Sequence, residues 1–247
     1  MAYHCLHWFP LALVVLLPLT FVITYTWSVL LGDVVPGFPY ISDTGTNPPV
    51  SCVFSQLLNV AAVLLGVCIY LRYRQVAELI GASERQQRSA TTINAVTGCL
   101  GAAASAGLSL VANFQESNVG VVHAIGADVT FIGGALYFCL QTWLSYSLRS
   151  AVVGRFTLYL QGCMSCLCIL CAATTIASGS VARSQFHGVA TIKWGPDDGG
   201  WGPHLLSTIS EWLLAVLFAS FFVSYVREFS YLSMEPPQFQ LHFKSAS

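Results

Sequence analysis

Four side chains able to carry chemistry fall inside long apolar runs: Asn59, His123, Asp128 and Glu211. An ionisable group in such a run is costly unless it is paired or faces water, so each needs a partner. Glu211 lies seven residues past His204. Asp128 stands at a comparable depth when its own run is entered from the same side, with His123 about one helical turn above it. With Asn59 and Gln56 of an earlier run, they are placed to converge on one polar cluster. Three readings of that cluster stay open: a structural hydrogen-bonded network, a proton-coupled or lipid-headgroup site, or side chains that face lipid and snorkel.

Other motifs point to less. Cys163, Cys166, Cys168 and Cys171 have zinc-like spacing, but they sit in an apolar run where a helix spreads them around its circumference. No metal is expected there. Cys52 is the one cysteine on its side of the membrane, which excludes an intramolecular disulfide on that side, and Cys5 is a candidate for S-palmitoylation or a plain thiol. GxSxG, HExxH, Walker A and GxGxxG are all missing from the sequence, so no catalytic residue, no cofactor and no enzyme activity is expected. Asp197 and Asp198, bracketed by Trp194 and Trp201, read as a solvated turn whose tryptophans anchor at the membrane interface.

The elements that hold these residues follow from composition. Hydrophobic residues make up 55% of the 247, charged residues only 9%, and mean hydropathy is +0.67. A soluble domain carries about 25% charged residues, so this chain is a polytopic membrane protein. The net charge of −1 gives no reason to expect a nucleic-acid partner. Six spans are predicted, at about 9–31, 52–71, 92–112, 119–143, 156–178 and 205–226, forming one all-α bundle over residues 1–247. Pro18 is expected to kink the first span. In the third, Gly98 with Ala102 and Gly101 with Ser105 offer small-residue pairs for close helix packing. The second span is expected to stop at Arg72, and Arg72, Arg74, Arg85, Arg88, Arg149, Arg155, Arg227 and Lys244 fall on one side. Only Arg183 and Lys193 fall on the other. That eight-to-two split places both termini in the cytosol and loops 32–51, 113–118 and 179–204 in the lumen or exterior.

Between the first two spans, residues 37–54 read GFPYISDTGTNPPVSCVF, rich in turn-forming residues and unable to bury a core of their own. The run Pro39-Tyr-Ile-Ser-Asp-Thr-Gly-Thr46, then Pro48-Pro49 and Phe54, resembles the first non-cytosolic loop of the damage-regulated autophagy modulator (DRAM) family. Further pieces agree in order: Arg72-Tyr73-Arg74-Gln75-Val76, Ala112-Asn113-Phe114-Gln115, His123, Gln141 with Ser145-Tyr146, Trp194 with Pro196, and Glu211-Trp212. The resemblance covers nearly the whole chain. Asp128 departs from it, standing where relatives are usually apolar.

The resemblance implies a non-enzymatic lysosomal or endolysosomal membrane protein that promotes autophagy and takes part in stress-induced cell death. It implies membrane lipids and proteins of autophagy or vesicle traffic as partners, with endosomal or plasma membrane as other addresses. The alternatives are a transporter or channel subunit using the polar cluster and a plasma-membrane scaffold for phosphoinositide-kinase complexes. In the tail, 227–247, Tyr231-Leu-Ser-Met234 resembles the tyrosine-based sorting signals read by clathrin adaptors.

Overall fold

The computed structural model describes residues 4–82, 88–148 and 153–235. Six long helices, each apolar enough to cross a membrane, account for most of them: α1 (Trp8–Leu31), α3 (Val50–Gly81), α4 (Arg88–Asn113), α5 (Glu116–Leu148), α6 (Arg155–Gln185) and α7 (Trp201–Phe229). A single turn, α2 (Ile41–Thr44), lies in the first loop. The protein is an all-α, six-helix polytopic membrane protein. Even α1, the shortest of the six at 24 residues, reaches about 36 Å, more than the ~30 Å of a bilayer's hydrocarbon.

Short connections make successive helices antiparallel neighbours. Each long helix packs on the next in sequence, and α7 returns to α1, so the six close into a ring. One end of the ring carries the loops 32–49 and 186–200; the other carries the start of α1 and the end of α7. The middle is filled by aromatic rings, with Phe138 stacked on Phe221 at 3.9 Å and meeting Phe218 edge-on at 4.7 Å.

Several helices run past their predicted ends. Helix α1 passes through Pro18 without interruption. Helix α3 continues ten residues beyond Leu71 to Gly81, so Arg72 and Arg74 are helical rather than loop residues. Helices α4 and α5 are joined by Phe114 and Gln115 alone, leaving no extended 113–118 loop. Small residues do set helix spacing. A Cβ on Gly101 would stand 2.7 Å from Ile69 Cγ2 of α3, and one on Gly107 would stand 2.7 Å from the Gly126 carbonyl of α5. Arg85, Arg149, Pro236, Pro237 and Lys244 lie outside the described residues.

Candidate functional site

The loop after α1 is inserted into its end of the ring. Its turn-forming residues suggested irregular chain, yet Ile41–Thr44 forms a helical turn, and Ile41, Asp43, Thr44 and Thr46 are buried. Gly45 lets the Phe54 ring pack directly on the loop backbone, since a Cβ there would collide with that ring. Three contacts with α7 hold the loop. The Ile41 N–H donates to Glu211 Oε2 at 2.9 Å, the Trp212 indole N–H donates to the Pro39 carbonyl at 2.9 Å, and the Tyr40 hydroxyl donates to Ser207 Oγ at 2.8 Å. Toward α1, Thr44 and Thr24 hydroxyls meet at 3.1 Å. Glu211 lies ten residues into α7, ~15 Å along its axis, so the loop reaches well into the ring.

Charge gathers around this plug. Ser42 donates to Glu116 Oε2 at 2.8 Å, and Arg183 pairs with Glu116 Oε1 at 2.7 Å. That ion pair is substantially exposed and contributes at most about 1 kcal/mol. Burial holds the Asp43 carboxyl well above the usual carboxylate range, and the Glu116 and Glu211 carboxyls push the same way, against the Tyr40 N–H and Arg183. Burial likewise pushes the Tyr40 phenol up to about 12, so it serves as a neutral donor.

Beneath the plug lies a cavity of ≈ 80 Å³, measured to the centre of a water-sized sphere. Its walls are mostly apolar (Leu17, Phe54, Phe131), its roof is Ile41 and Ser42, and His123 and Glu211 are its ionisable lining. His123 is buried, with Nδ1 2.7 Å from the Phe114 carbonyl at the α4–α5 turn.

A second loop, 186–200, caps the same end. The ring of Trp194 stacks on His204 at 4.3 Å and lies 4.4 Å from Phe186, and its indole N–H donates to the Gly199 carbonyl at 2.8 Å. At 3% exposure Trp194 is interior, not the membrane-interface anchor expected of it. Gly199 and Gly200 both take left-handed φ, +78° and +62°, and a Cβ at either would collide with carbonyls of α6.

Toward the chain-terminus end, a second polar node centres on Arg72, which is 1% exposed. The guanidinium donates to Gln141 Oε1 at 2.9 Å, Gln75 Oε1 at 2.7 Å and Ser145 Oγ at 2.7 Å, and pairs with Glu228. It also lies 5.1 Å from the Tyr225 ring centre, and the Tyr225 hydroxyl meets that of Tyr137 at 3.3 Å. Gln161 brings α6 into the node, donating to Ser224 Oγ at 2.9 Å and Glu228 Oε1 at 3.4 Å. Helices α3, α5 and α7 thereby meet at one cation, and α6 joins them through Glu228. This corrects the reading of Arg72 as a charge in the solvent beyond the second span. A buried arginine needs every donor engaged, and this arrangement supplies acceptors.

The four residues expected to converge do not meet at one point. His123 and Glu211 share the cavity. Asn59 belongs to a separate α3–α4 contact, accepting from Ser109 at 2.7 Å and exchanging amide bonds with Asn113 at 3.0 Å. Gln56 and Asp128 are exposed on the outside of the ring. Depth along a helix was legible from the sequence; direction around it was not. Among the cysteines, Cys168 and Cys171 turn inward and Cys163 and Cys166 outward. Tyr231 and Met234 are exposed, at 66% and 39%. The Arg72 node itself was missed, although Gln141, Gln161 and Glu228 stand in or beside apolar runs at matching depths, a signal that could have found it.

Related sequences match this chain along most of its length. The family model described as Frag1/DRAM/Sfk1/Cwh43P N-terminal domain matches residues 5–232. The chain is 36% identical over 232 residues to DNA damage-regulated autophagy modulator protein 2 of Bos taurus, covering 93% of this chain and 86% of that protein. It is 35% identical over 230 residues to DNA damage-regulated autophagy modulator protein 1 of Xenopus laevis, covering 92% and 91%. The modulator of macroautophagy TMEM150B-B of Xenopus laevis is 36% identical over 175 residues, covering 70% and 71%. No solved structure matches. Six apolar helices in a closed ring and a family model spanning all of them lead to one conclusion: the chain belongs to the Frag1/DRAM/Sfk1/Cwh43P family.

Proposed function

We propose that this protein modulates autophagy as a non-enzymatic membrane protein of lysosomes or endolysosomes, acting through protein partners and contributing to stress-induced cell death. The observation that carries the reading is likeness along nearly the whole chain to proteins named autophagy modulators. The geometry is in keeping with it. The Arg72 and Glu211 nodes spend their hydrogen bonds on tying helices and loop together, as a structural body does. The exposed Tyr231 and Met234 fit a clathrin adaptor that takes two alternate side chains of an extended peptide into pockets. Membrane lipids surround the bundle, and no nucleic acid is involved.

A second reading, a transporter or channel subunit, is favoured by the cavity that joins His123 and Glu211 beneath the loop. Reconstitution separates the two. Purified protein in liposomes should give no substrate- or proton-dependent flux, while its removal from cells should change turnover of a lipidated autophagosome marker under lysosomal inhibition. Flux abolished by Glu211→Gln would establish the second reading instead. For the address, Tyr231→Ala should raise surface biotinylation and lower lysosomal co-localisation, with Ser230→Ala unchanged. A wholly lysosomal Tyr231→Ala protein would mean that the tail carries no sorting signal.

A further inference from the structure

Two buried side chains that line the cavity beneath the plug each keep an unused hydrogen-bonding atom. Glu211, 9% exposed, receives the Ile41 N–H on Oε2 and makes no other hydrogen bond among the described residues. His123, 6% exposed, spends Nδ1 on the Phe114 carbonyl. A carbonyl only accepts, so Nδ1 carries the proton and the neutral ring leaves Nε2 as a bare acceptor. The other polar side chains of the lining are engaged: Ser42 bonds Glu116, and Thr130 bonds the Gly126 carbonyl.

The rest of the cavity is walled by hydrocarbon, and its shape is long. Its lining runs from Glu211 to Phe222 on α7 and from Phe54 to Leu65 on α3, eleven residues on each helix and ~16 Å along the axes. Spread over that length, ≈ 80 Å³ measured to the centre of a water-sized sphere gives a bore about 5 Å across. One alkyl chain of about ten carbons fits a bore of that length and width, and a sterol ring system does not. Water suits the bore poorly, since each molecule needs about two to four polar partners and the walls below the plug have none free.

We propose that the cavity is a binding site for one single-chain amphiphile, with its alkyl chain in the bore and a hydroxyl or amine head at Glu211 and His123. The head must donate, because Nε2 of the neutral His123 ring can only accept. Toward Glu211 a hydroxyl or amine serves in either ionisation state, donating to a carboxylate or accepting from a carboxylic acid. An anionic head would meet like charge instead. Asp43, Glu116 and Glu211 bring three carboxyls to this end, and the cation among them is Arg183, paired with Glu116.

The test uses the full-length chain in liposomes with photoreactive dodecylamine, dodecanol and dodecanoate, each carrying its diazirine near the chain end. The amine and the alcohol should label the floor of the bore, at Leu65 or Phe222, and excess unlabelled compound should displace them. The carboxylate should label only lipid-facing positions such as Leu170, where no competitor protects. Glu211→Gln, which keeps an oxygen for Ile41 but removes the acid, should lower floor labelling by the amine about 10-fold. Ala127→Leu and Ala215→Leu each place a larger side chain in the bore and leave the head contacts alone. Both should abolish floor labelling at an unchanged or raised melting midpoint, and either suffices if the other does not fold. Labelling by the amine alone or the alcohol alone supports the site and assigns its head. Four results overturn it: no saturable labelling at the floor, equal labelling there by the carboxylate, amine labelling that Glu211→Gln leaves at the wild-type level, or a folded leucine variant that labels as wild type.

Discussion

Removing the Arg72 side chain should be the most damaging single change in the bundle. In Arg72→Met the methylene stem is roughly replaced but four acceptors lose their donor. Gln75, Gln141 and Ser145 are neutral, and an orphaned neutral acceptor costs about 1–3 kcal/mol at most, less where a side chain can turn to another partner. The greater loss falls on Glu228. Its side chain is 2% exposed, and its remaining contact is the 3.4 Å bond from Gln161. Breaking a buried pair from one side costs about 3–5 kcal/mol, because the remaining charge is left without compensation. Loss of the cation from above the Tyr225 ring, a desolvated contact, adds about 2 kcal/mol. Arg72→Met should therefore lower stability by at least about 3 kcal/mol. Glu228→Leu should cost about as much, by the same reasoning from the other side. The double variant removes both charges, so it should cost less than the sum of the singles by at least ~2 kcal/mol. Arg72→Lys, which offers a point charge in place of a planar fork, should fall between wild type and Arg72→Met. The assay is reversible denaturation in mixed micelles, read by tryptophan fluorescence. A loss under about 1 kcal/mol for Arg72→Met, or additive singles, would refute the claim that this ion pair organises the four helices.

Three further outcomes are expected. Glu211→Leu leaves the Ile41 N–H without its acceptor and should cost about 1–3 kcal/mol, with faster proteolysis at residues 37–54, whereas Glu211→Gln should cost less; equal protection in all three proteins would detach Glu211 from the loop. Because the Asp43 carboxyl is raised in the folded protein, its contribution is fully present below the ordinary carboxylate range and is lost as pH rises through its folded value. Amide-exchange protection in the loop, after division by the intrinsic base-catalysed rate at each pH, should therefore be greater at pH 5 than at pH 7.5, and Asp43→Asn should flatten that difference; an unchanged slope in the variant would refute Asp43 as its source. For orientation, with Cys5 and Cys52 replaced, a cysteine at Ser89 should react with an impermeant thiol reagent from the cytosolic face and one at Val189, fully exposed, from the other. Thr46, at 2% exposure, is too occluded to report. Reversed reactivity would invert the topology and take the tail signal with it.

What the sequence determined by itself was the membrane, the number of helices and the family. Apolar runs of twenty or more residues have few other places to go, and that property is local, read one window at a time. The eight-residue match from Pro39 to Thr46 marked the first loop as the feature tied to the family, equally from local order. Depth was also legible, since 1.5 Å per residue placed Glu211 and His123 at neighbouring levels, and they do line one cavity. The tertiary structure alone decided direction and partnership. Arg72 sits where an apolar run ends, and a window there sees a charge leaving the membrane; it cannot see Glu228, 156 residues away, or Gln141 on a third helix. Ile41 and Glu211 are 170 residues apart, so the turn-rich loop could not announce that α7 would draw it into the ring. Asp128 and Thr130 are two residues apart at nearly one depth, yet one faces outward and the other bonds Ala104 of α4. The azimuth of a side chain depends on which neighbours the helix finds, and that is settled only when all six helices close into the ring.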